Sequence, residues 1–438
     1  MLSKLLYNLF LFLYAVGIRI ASAWNPKAKK WGDGRKNIFA TINSQLVTPN
    51  SQLIWMHCAS LGEFEQGRPL LEAIKQNDPA QKIVLTFFSP SGYEVMKDYK
   101  GANHVFYLPM DSPANAKKFL DAVQPSLVLW VKYEYWFYYL TEIKQRNIPA
   151  ILVSGIFRPG QLFFKWYGGI WKKMLHTFTH FFVQNEESES LLAALRFKDN
   201  VTVNGDTRFD RVLEIAKNFK PVPCIEAFCG DSQVIVAGST WEEDEIELLH
   251  FVNVHKEIKF IIAPHEIDKL NLKDVKDEFP NSIFYSELVE KESTSNPQGS
   301  ADEQQATSNE QRHFPNVLII DNIGMLSSLY KYATITYVGG GFGADGVHNV
   351  LEAAVYGKPV VFGPVYEKFD EATGLVKAEG GISIDGPVNL EAVLNNLLND
   401  EAERKRRGEA ARLYVQENAG ASKKIIEFIQ EKHFLEIS

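Results

Sequence analysis

Cysteine is scarce in this chain: Cys58, Cys224 and Cys229 are the only three in 438 residues, they form no CxxC pair, and their number is odd. A disulfide framework and a structural zinc site are thereby excluded as organising devices, and a reducing compartment fits. No His, Cys, Asp and Glu cluster has zinc-ligand spacing, no GxxxxGK[ST] phosphate loop occurs, and Ser60 lacks the GxSxG setting of a nucleophile. An excess of cations is missing too. The 46 Lys and Arg stand against 54 Asp and Glu, a net charge of −8 that gives no general basis for nucleic-acid binding. The one long apolar run, Leu5 to Ile20, falls short of the about 20 residues of a comfortable membrane span.

That run is nevertheless the first feature present. Lys4 alone precedes it as a basic side chain, whereas Arg19, Lys27, Lys29, Lys30, Arg35 and Lys36 follow. By the positive-inside rule such a flank keeps the body of the protein cytoplasmic, with residues 1–30 as an anchor or an in-plane helix. Trp24 and Trp31 stand where interfacial aromatics would. The alternatives are a first helix packed on the domain, or a signal cleaved near Ala21-Ser22-Ala23, for which the basic residues are on the wrong side.

From Leu53 onward apolar β-rich runs alternate with amphipathic helical segments. Ile54–Ala59, Lys82–Phe87, His104–Leu108, Leu127–Val131, Ala150–Ser154, Phe181–Gln184 and Val201–Asn204 read as strands. After the Pro221-Val222-Pro223 break a second series runs through Gln233–Ala237, Lys259–Ala263, Val317–Ile320, Thr334–Val338 and Pro359–Phe362. This alternation predicts an α/β protein of two doubly wound, Rossmann-like domains, 31–220 and 221–438, facing a central cleft with ligands at the carboxyl ends of the strands. Lys291–Gln311 has no large apolar residue and reads as a disordered insertion, about 291–313. Glu401–Lys432 is charged and helical in pattern, and is expected to pack back across the cleft.

Several strand ends carry candidate chemistry. Gly339-Gly340-Gly341 follows the Thr334–Val338 strand and precedes a predicted helix, His348–Tyr356, closed by Gly357. Such a turn either aims N–H groups at an anion, with Glu352 accepting from sugar hydroxyls, or is a ligand-free structural turn. Glu63, entering a helix after Ile54–Ala59, is a general base or a helix-capping carboxylate whose basicity the dipole limits. Glu134, amid Tyr133, Tyr135 and Trp136, either steadies developing positive charge or belongs to an aromatic core. Arg208 suits a phosphate or carboxylate, or a surface ion pair. Ser239 and Thr240 read as a cap or an anion contact, and His265 after Pro264 as a phosphate contact or a structural histidine.

Taken in order, CASLGEFEQGRPLLEAI, TFFSPSGYE, VFYLPMD, VKYEYW, VQNEES, VNGDTRFD, AGSTWEEDE, DNIGMLSSLY and GGGFGADGVHNVLEAAVYGKPVVFGP resemble the 3-deoxy-D-manno-oct-2-ulosonic acid (Kdo) transferases of lipopolysaccharide assembly. The resemblance covers the chain from about Trp31 onward, apart from the insertion around Ser293–Gln311. It implies an inverting GT-B glycosyltransferase with CMP-Kdo as donor and the tetraacyldisaccharide 4'-phosphate precursor of lipid A as acceptor. It further implies the inner membrane as location, no cofactor or metal, no nucleic acid and no obligate protein partner. On the family pattern Glu63 is the base, and Glu134 and Arg208 stabilise the transition state, with arginine where many relatives have lysine. CMP falls to Ser239, Thr240, Pro264, His265, Ile323, Gly324, Met325, Gly340, Gly341, His348, Asn349, Val350, Leu351 and Glu352. The chain departs from many relatives in reading Pro264-His265 for PRH, and Gly343-Ala344-Asp345-Gly346 where an arginine stands. Alternatives are a GT-B transferase or epimerase taking a UDP-sugar, and a non-catalytic membrane scaffold.

Overall fold

The computed structural model describes residues 2–46, 52–295 and 314–434. The chain forms two compact units, Met1–Arg211 with Asn418–Ser438, and Val212–Glu417. In the first, strands β1 (Ile54–Cys58), β2 (Ile83–Phe87), β3 (His104–Tyr107), β4 (Leu127–Val131), β5 (Ala150–Gly155), β6 (His180–Val183) and β7 (Val201–Val203) make a parallel sheet in the order β3-β2-β1-β4-β5-β6-β7. In the second, β8 (Val234–Thr240), β9 (Lys259–Pro264), β10 (Ser282–Phe284), β11 (Val317–Ile319), β12 (Ile335–Val338), β13 (Val360–Phe362) and β14 (Gly381–Ser383) are ordered β10-β11-β9-β8-β12-β13-β14. In each sheet the first strand is central, with the next strand of the chain on one side and a later one on the other. The order therefore reverses between β1 and β4, and again between β8 and β12, the places where open α/β sheets bind ligands.

The runs read as strands are strands because both of their faces are covered. Trp55, Val84, Val128 and Trp130 enter one core of the first unit, and Ile54, Met56, Leu85, Leu127 and Leu129 enter the other. Two strands escape the sequence reading, β10 and β14. Both are edge strands of three residues, and Ser282, Gly381 and Ser383 give them no apolar run.

The helix Leu2–Ala21 has two faces. Tyr7, Leu11, Tyr14 and Ile18, spaced by four, three and four residues, lie against the first core. Leu5, Leu6, Leu9, Phe10, Phe12, Leu13, Val16 and Ile20 are exposed. Polar ties fix the docked face: Tyr7 donates to Asp111 (2.6 Å), whose carboxylate also accepts the N–H groups of Tyr138 (3.0 Å) and Tyr139 (3.1 Å), and Tyr138 donates to Asn8 (2.6 Å). Burial raises the Asp111 carboxyl to about 6 against these three donors. Packing on the domain, the alternative set against a free anchor, thus describes one face of this helix.

Two residues assigned to the membrane flank are inside. Trp31 is buried, while Trp24 is exposed. Arg35 donates to the carbonyls of Leu108 (2.9 Å), Trp31 (3.1 Å) and Phe88 (2.7 Å) and stacks on the Trp31 ring at 3.9 Å. A guanidinium has five donors and a flat face, so it can be buried where a lysine of the same flank cannot.

The C-terminus also departs from the expected 221–438 grouping. Glu401–Glu417 belongs to the second unit, but Ala421–Glu431 packs on the helix Leu61–Asn77 of the first. Ile425, Ile426 and Ile429 enter the core beneath β1, and Asp210 caps the helix by accepting N–H groups from Gly420 (2.5 Å) and Ser422 (2.6 Å). Of the stretch read as an insertion, Lys291–Ser295 completes the helix Tyr285–Ser295, and residues 296–313 lie outside the described residues.

Replacing Asp111 by Ala strands a tyrosine hydroxyl and two buried N–H groups. Urea unfolding should show a loss of roughly 3 kcal/mol, and limited proteolysis should release Leu2–Ala21 faster than in the wild type. Unchanged stability and cleavage would mean that the helix is not held by this carboxylate.

Candidate active site

β1 and β4 pair in register up to His57↔Trp130, so Ala59 and Lys132 both lie two residues beyond the last pair, at the switch point. There the chain turns through Ala59-Ser60 into the helix Leu61–Asn77. Gly67 lets this helix approach closely, since a Cβ there would lie 2.9 Å from the Met56 sulfur and 3.1 Å from Val131. Glu63 folds back over the turn and accepts the N–H groups of Ala59 and of Ser60 (3.2 Å). It caps the helix and is also buried, with 9% exposure. Burial, followed by repulsion from Glu134, raises its carboxyl to about 7, although the two N–H donors and Lys132 pull the other way. The expected limit on its basicity is overturned, because desolvation outweighs the helix terminus.

Glu134 follows β4 by three residues. One carboxylate oxygen accepts from Trp136 Nε1 (3.0 Å) and stands 3.7 Å from His57 Nε2. His57 is fully buried, with Nδ1 bound to Thr86 (2.9 Å), so Nε2 is the nitrogen turned toward Glu134. Trp136 is buried and Tyr133 exposed, so only part of the aromatic run is core.

Arg208 opens the helix Arg208–Lys217 and forms an ion pair with Asp206 through Nε (2.9 Å) and Nη2 (2.8 Å). Its own N–H binds the other oxygen of Asp206 (2.9 Å), and Gln66 from the Glu63 helix reaches the same carboxylate at 3.1 Å. The pair is shielded rather than on the surface, with Asp206 5% exposed. Burial opposes ionisation of Asp206, but Arg208 and then Lys132 outweigh it and hold the carboxyl below its usual range. Lys132 thus acts on both Glu63 and Asp206, from a left-handed backbone (φ 60°). Glu63, Glu134, Lys132, Asp206 and Arg208 form one charged group at a sheet edge. The sequence reading passed over Lys132, Asp206 and His57, though a cation directly after an apolar strand and an acid two residues from Arg208 were visible signals.

The second unit has a corresponding arrangement between β8 and β12. Val338 pairs with Gly238, and the chain continues into Gly339-Gly340-Gly341. Gly340 has φ 87°, and a Cβ on Gly341 would lie 2.5 Å from the Gly363 nitrogen, so both need glycine. The N–H of Gly340 donates to Asp244 (2.8 Å), which also accepts from Trp241 N (3.0 Å) and the Tyr337 hydroxyl (2.8 Å). One donor expected to face an external anion is therefore occupied by a buried carboxylate of the protein. The predicted helix His348–Tyr356 shrinks to Leu351–Ala354, with Val350 and Leu351 fully buried and able to offer a ligand only their backbone.

Ser239 has φ 55°, and Thr240 is buried, donating to Glu245 (2.7 Å) and accepting the N–H of His265 (2.9 Å). Trp241, His265 and His348 form a stack, with ring centroids 4.6 Å apart for the first pair and 4.4 Å for the second. Trp241 Nε1 donates to His348 Nε2 (2.9 Å), which leaves the imidazole proton on Nδ1. Burial, then His265, lowers His348 to about 4, so it is neutral near pH 7. Asn349 donates to Glu352 (3.0 Å). Thr240, His265, Gly340 and His348 thus belong to one edge of the sheet. Pro264 ends β9, while Ile323 lies in an exposed loop with Gly324 at φ 101° before Met325 caps Leu326–Leu329.

Residues 34–211 match the family model described as 3-deoxy-D-manno-octulosonic-acid transferase (kdotransferase). A 3-deoxy-D-manno-octulosonic acid transferase of Haemophilus influenzae is 26% identical over 400 residues, 87% of this chain and 87% of the relative. A bifunctional glycosyltransferase/methyltransferase of Fusobacterium nucleatum is 27% identical over 377 residues, 82% of this chain but 56% of the relative, so the chain spans little more than half of that protein. Among solved structures, the UDP-GlcNAc 2-epimerase from Neisseria meningitidis bound to UDP-GlcNAc superposes with a TM-score of 0.60 at 17% identity, covering 87% of this chain and 100% of that one. That likeness shows the fold, which is of the GT-B class. The stretch matched by the family model contains Glu63, Glu134 and Arg208, and similarity runs far beyond it, so that most of the chain is similar to the 3-deoxy-D-manno-octulosonic acid transferases.

Proposed function

We propose that the chain is an inverting transferase that moves Kdo from CMP-Kdo to a hydroxyl of the tetraacyldisaccharide 4'-phosphate precursor of lipid A. The observation that carries this reading is Glu63: a buried carboxylate at a topological switch point, raised to about 7, is suited to accept a proton near neutral pH. The acceptor hydroxyl gives its proton to Glu63 as its oxygen bonds to the anomeric carbon. The bond from that carbon to the CMP oxygen breaks, and its electron pair leaves with CMP. Attack opposite the leaving group inverts the centre. The developing oxocarbenium charge is steadied by the Glu134 carboxylate. Arg208, held by Asp206, and Lys132 supply the cations that suit the sugar's own carboxylate.

On this reading the second unit holds CMP, through the backbone of Gly341 and Val350–Leu351, His265, the loop Ile323–Met325, and Glu352 for the ribose hydroxyls. His348 offers a neutral Nδ1–H rather than a cation. A monophosphate leaving group carries less charge than a diphosphate, so these donors serve without a metal ion or cofactor. The helix Leu2–Ala21 lies in the plane of the inner membrane on its cytoplasmic side, since one face is tied to the protein and the other is apolar and exposed.

Incubation with CMP-Kdo and the lipid precursor should yield a Kdo-bearing lipid by mass spectrometry. Product from UDP-sugars alone, or CMP binding without turnover, would overturn the proposal. A base acts only when deprotonated, so kcat/KM should rise with pH up to about 7 and level off above it. Glu63→Gln should lose that limb and about 10²–10⁴ in kcat; a normal rate removes Glu63 as base. Because Glu134 raises Glu63, Glu134→Gln should move the acid limb to lower pH while slowing turnover, and a shift to higher pH would contradict the assigned repulsion.

A further inference from the structure

Charge is distributed unevenly along this acidic chain. Met1–Gly32 contains no aspartate or glutamate, and neither does Asn147–Asn185, although the whole protein carries −8. The two acid-free stretches meet in space, for the helix Gly169–Leu175 packs against Leu2–Ala21. Between β5 and that helix runs the loop Arg158–Gly168. Its base is built into the protein: Phe163 is buried, 4.7 Å from Tyr135 and 5.8 Å from Phe157 between ring centroids. Its tip is not. Trp166 is 92% exposed and Tyr167 50%, the two rings edge to face at 5.4 Å, with Leu162 exposed beside them.

The tip has a fixed shape. Lys165 N donates to Leu162 O (3.3 Å) and Gly168 N to Lys165 O (3.0 Å), and a Cβ on Gly168 would lie 1.8 Å from Leu162 O, so the turn closes only on glycine. Arg158, Lys165, Lys172 and Lys173 surround it, and among the described residues none of these four has a carboxylate within ion-pair range. Phe163 and Phe164 thus support a tip that presents a tryptophan, a tyrosine and unpaired cations to solvent.

We propose that the Arg158–Gly168 loop is a second membrane-contact element, its Trp166 and Tyr167 entering the headgroup layer of an anionic bilayer beside the exposed face of Leu2–Ala21. This rests on the membrane reading of the N-terminal helix and extends it to a second, distant segment. Tryptophan and tyrosine favour the interface because they join an apolar ring to a polar edge, and cations without protein partners complement lipid phosphates. A protein partner would need to supply acids in register with four cations, whereas an anionic bilayer supplies them at any lateral position.

The test uses the full chain and phosphatidylcholine vesicles with or without phosphatidylglycerol. Trp166→Ala combined with Tyr167→Ala should weaken partitioning roughly tenfold on both vesicle types, and Lys165→Glu with Lys173→Glu should weaken it only where phosphatidylglycerol is present. Turnover on detergent-dispersed acceptor should be unchanged in both variants. An environment-sensitive fluorophore on Trp166→Cys should shift to the blue on vesicle addition. Wild-type partitioning by the double alanine variant together with an unshifted fluorophore would overturn the loop while leaving the helix as anchor. Failure of the wild-type chain to bind either vesicle would overturn the membrane reading itself. Loss of turnover in detergent without loss of partitioning would make the loop an acceptor contact, and conversion of an oligomer to a monomer by Trp166→Ala would make its occupant a second copy; either outcome overturns the proposal.

Discussion

The contact between the Glu63 carboxylate and the N–H groups of Ala59 and Ser60 is the constraint on which the first unit's chemistry depends. It closes the turn from β1 into the helix Leu61–Asn77, and the helix so directed lies close enough to the sheet that Gly67 has no room for a side chain. Two oriented donors favour the ionised carboxylate, and the dry setting favours the neutral one. The balance leaves the group near 7, half-way between an ordinary acid and a group too basic to be free at neutral pH. Glu134 adds to the rise and Lys132 opposes it, so the carboxyl ends of the two adjacent strands contribute to one proton equilibrium.

The second unit uses the same local device for another purpose. Asp244, like Glu63, is the third residue of the helix after its sheet's first strand and turns back onto the preceding backbone. It reaches further, to Gly340 and Tyr337, and so fastens the glycine turn after β12 to the turn after β8. In one sheet the folded-back acid is left with proton-accepting capacity. In the other its oxygens are spent on three protein donors, and the Trp241–His265–His348 stack stands at the edge instead.

Twelve of the strands were legible because parallel strands buried on both faces write themselves as apolar runs, and the five-residue run Leu127–Val131 agrees residue for residue. β10 and β14 were illegible because edge strands of three residues need no such run. Glu63, Glu134 and Arg208 could be singled out by their positions just past strands. Their environment could not, since the raised carboxyl of Glu63 depends on burial and on Glu134, far away in the chain. Arg35 shows the same limit: local sequence places it in a basic flank, and only the tertiary arrangement of Trp31, Phe88 and Leu108 turns it inward.

The return of Ala421–Glu431 to the first unit gives the chain a particular order of birth. Residues through Arg211 emerge from the ribosome first, but the last covering of the β1–β4 face, Ile425, Ile426 and Ile429, emerges after the whole of Val212–Glu417. At the pace of translation that interval lasts roughly 10–40 s. The second unit is continuous and can close on itself as it appears, whereas the earlier-made sheet waits with part of its core open to solvent and to chaperones. The Asp210 cap, made early and satisfied by Gly420 and Ser422, marks the place where synthesis of the two ends is reconciled.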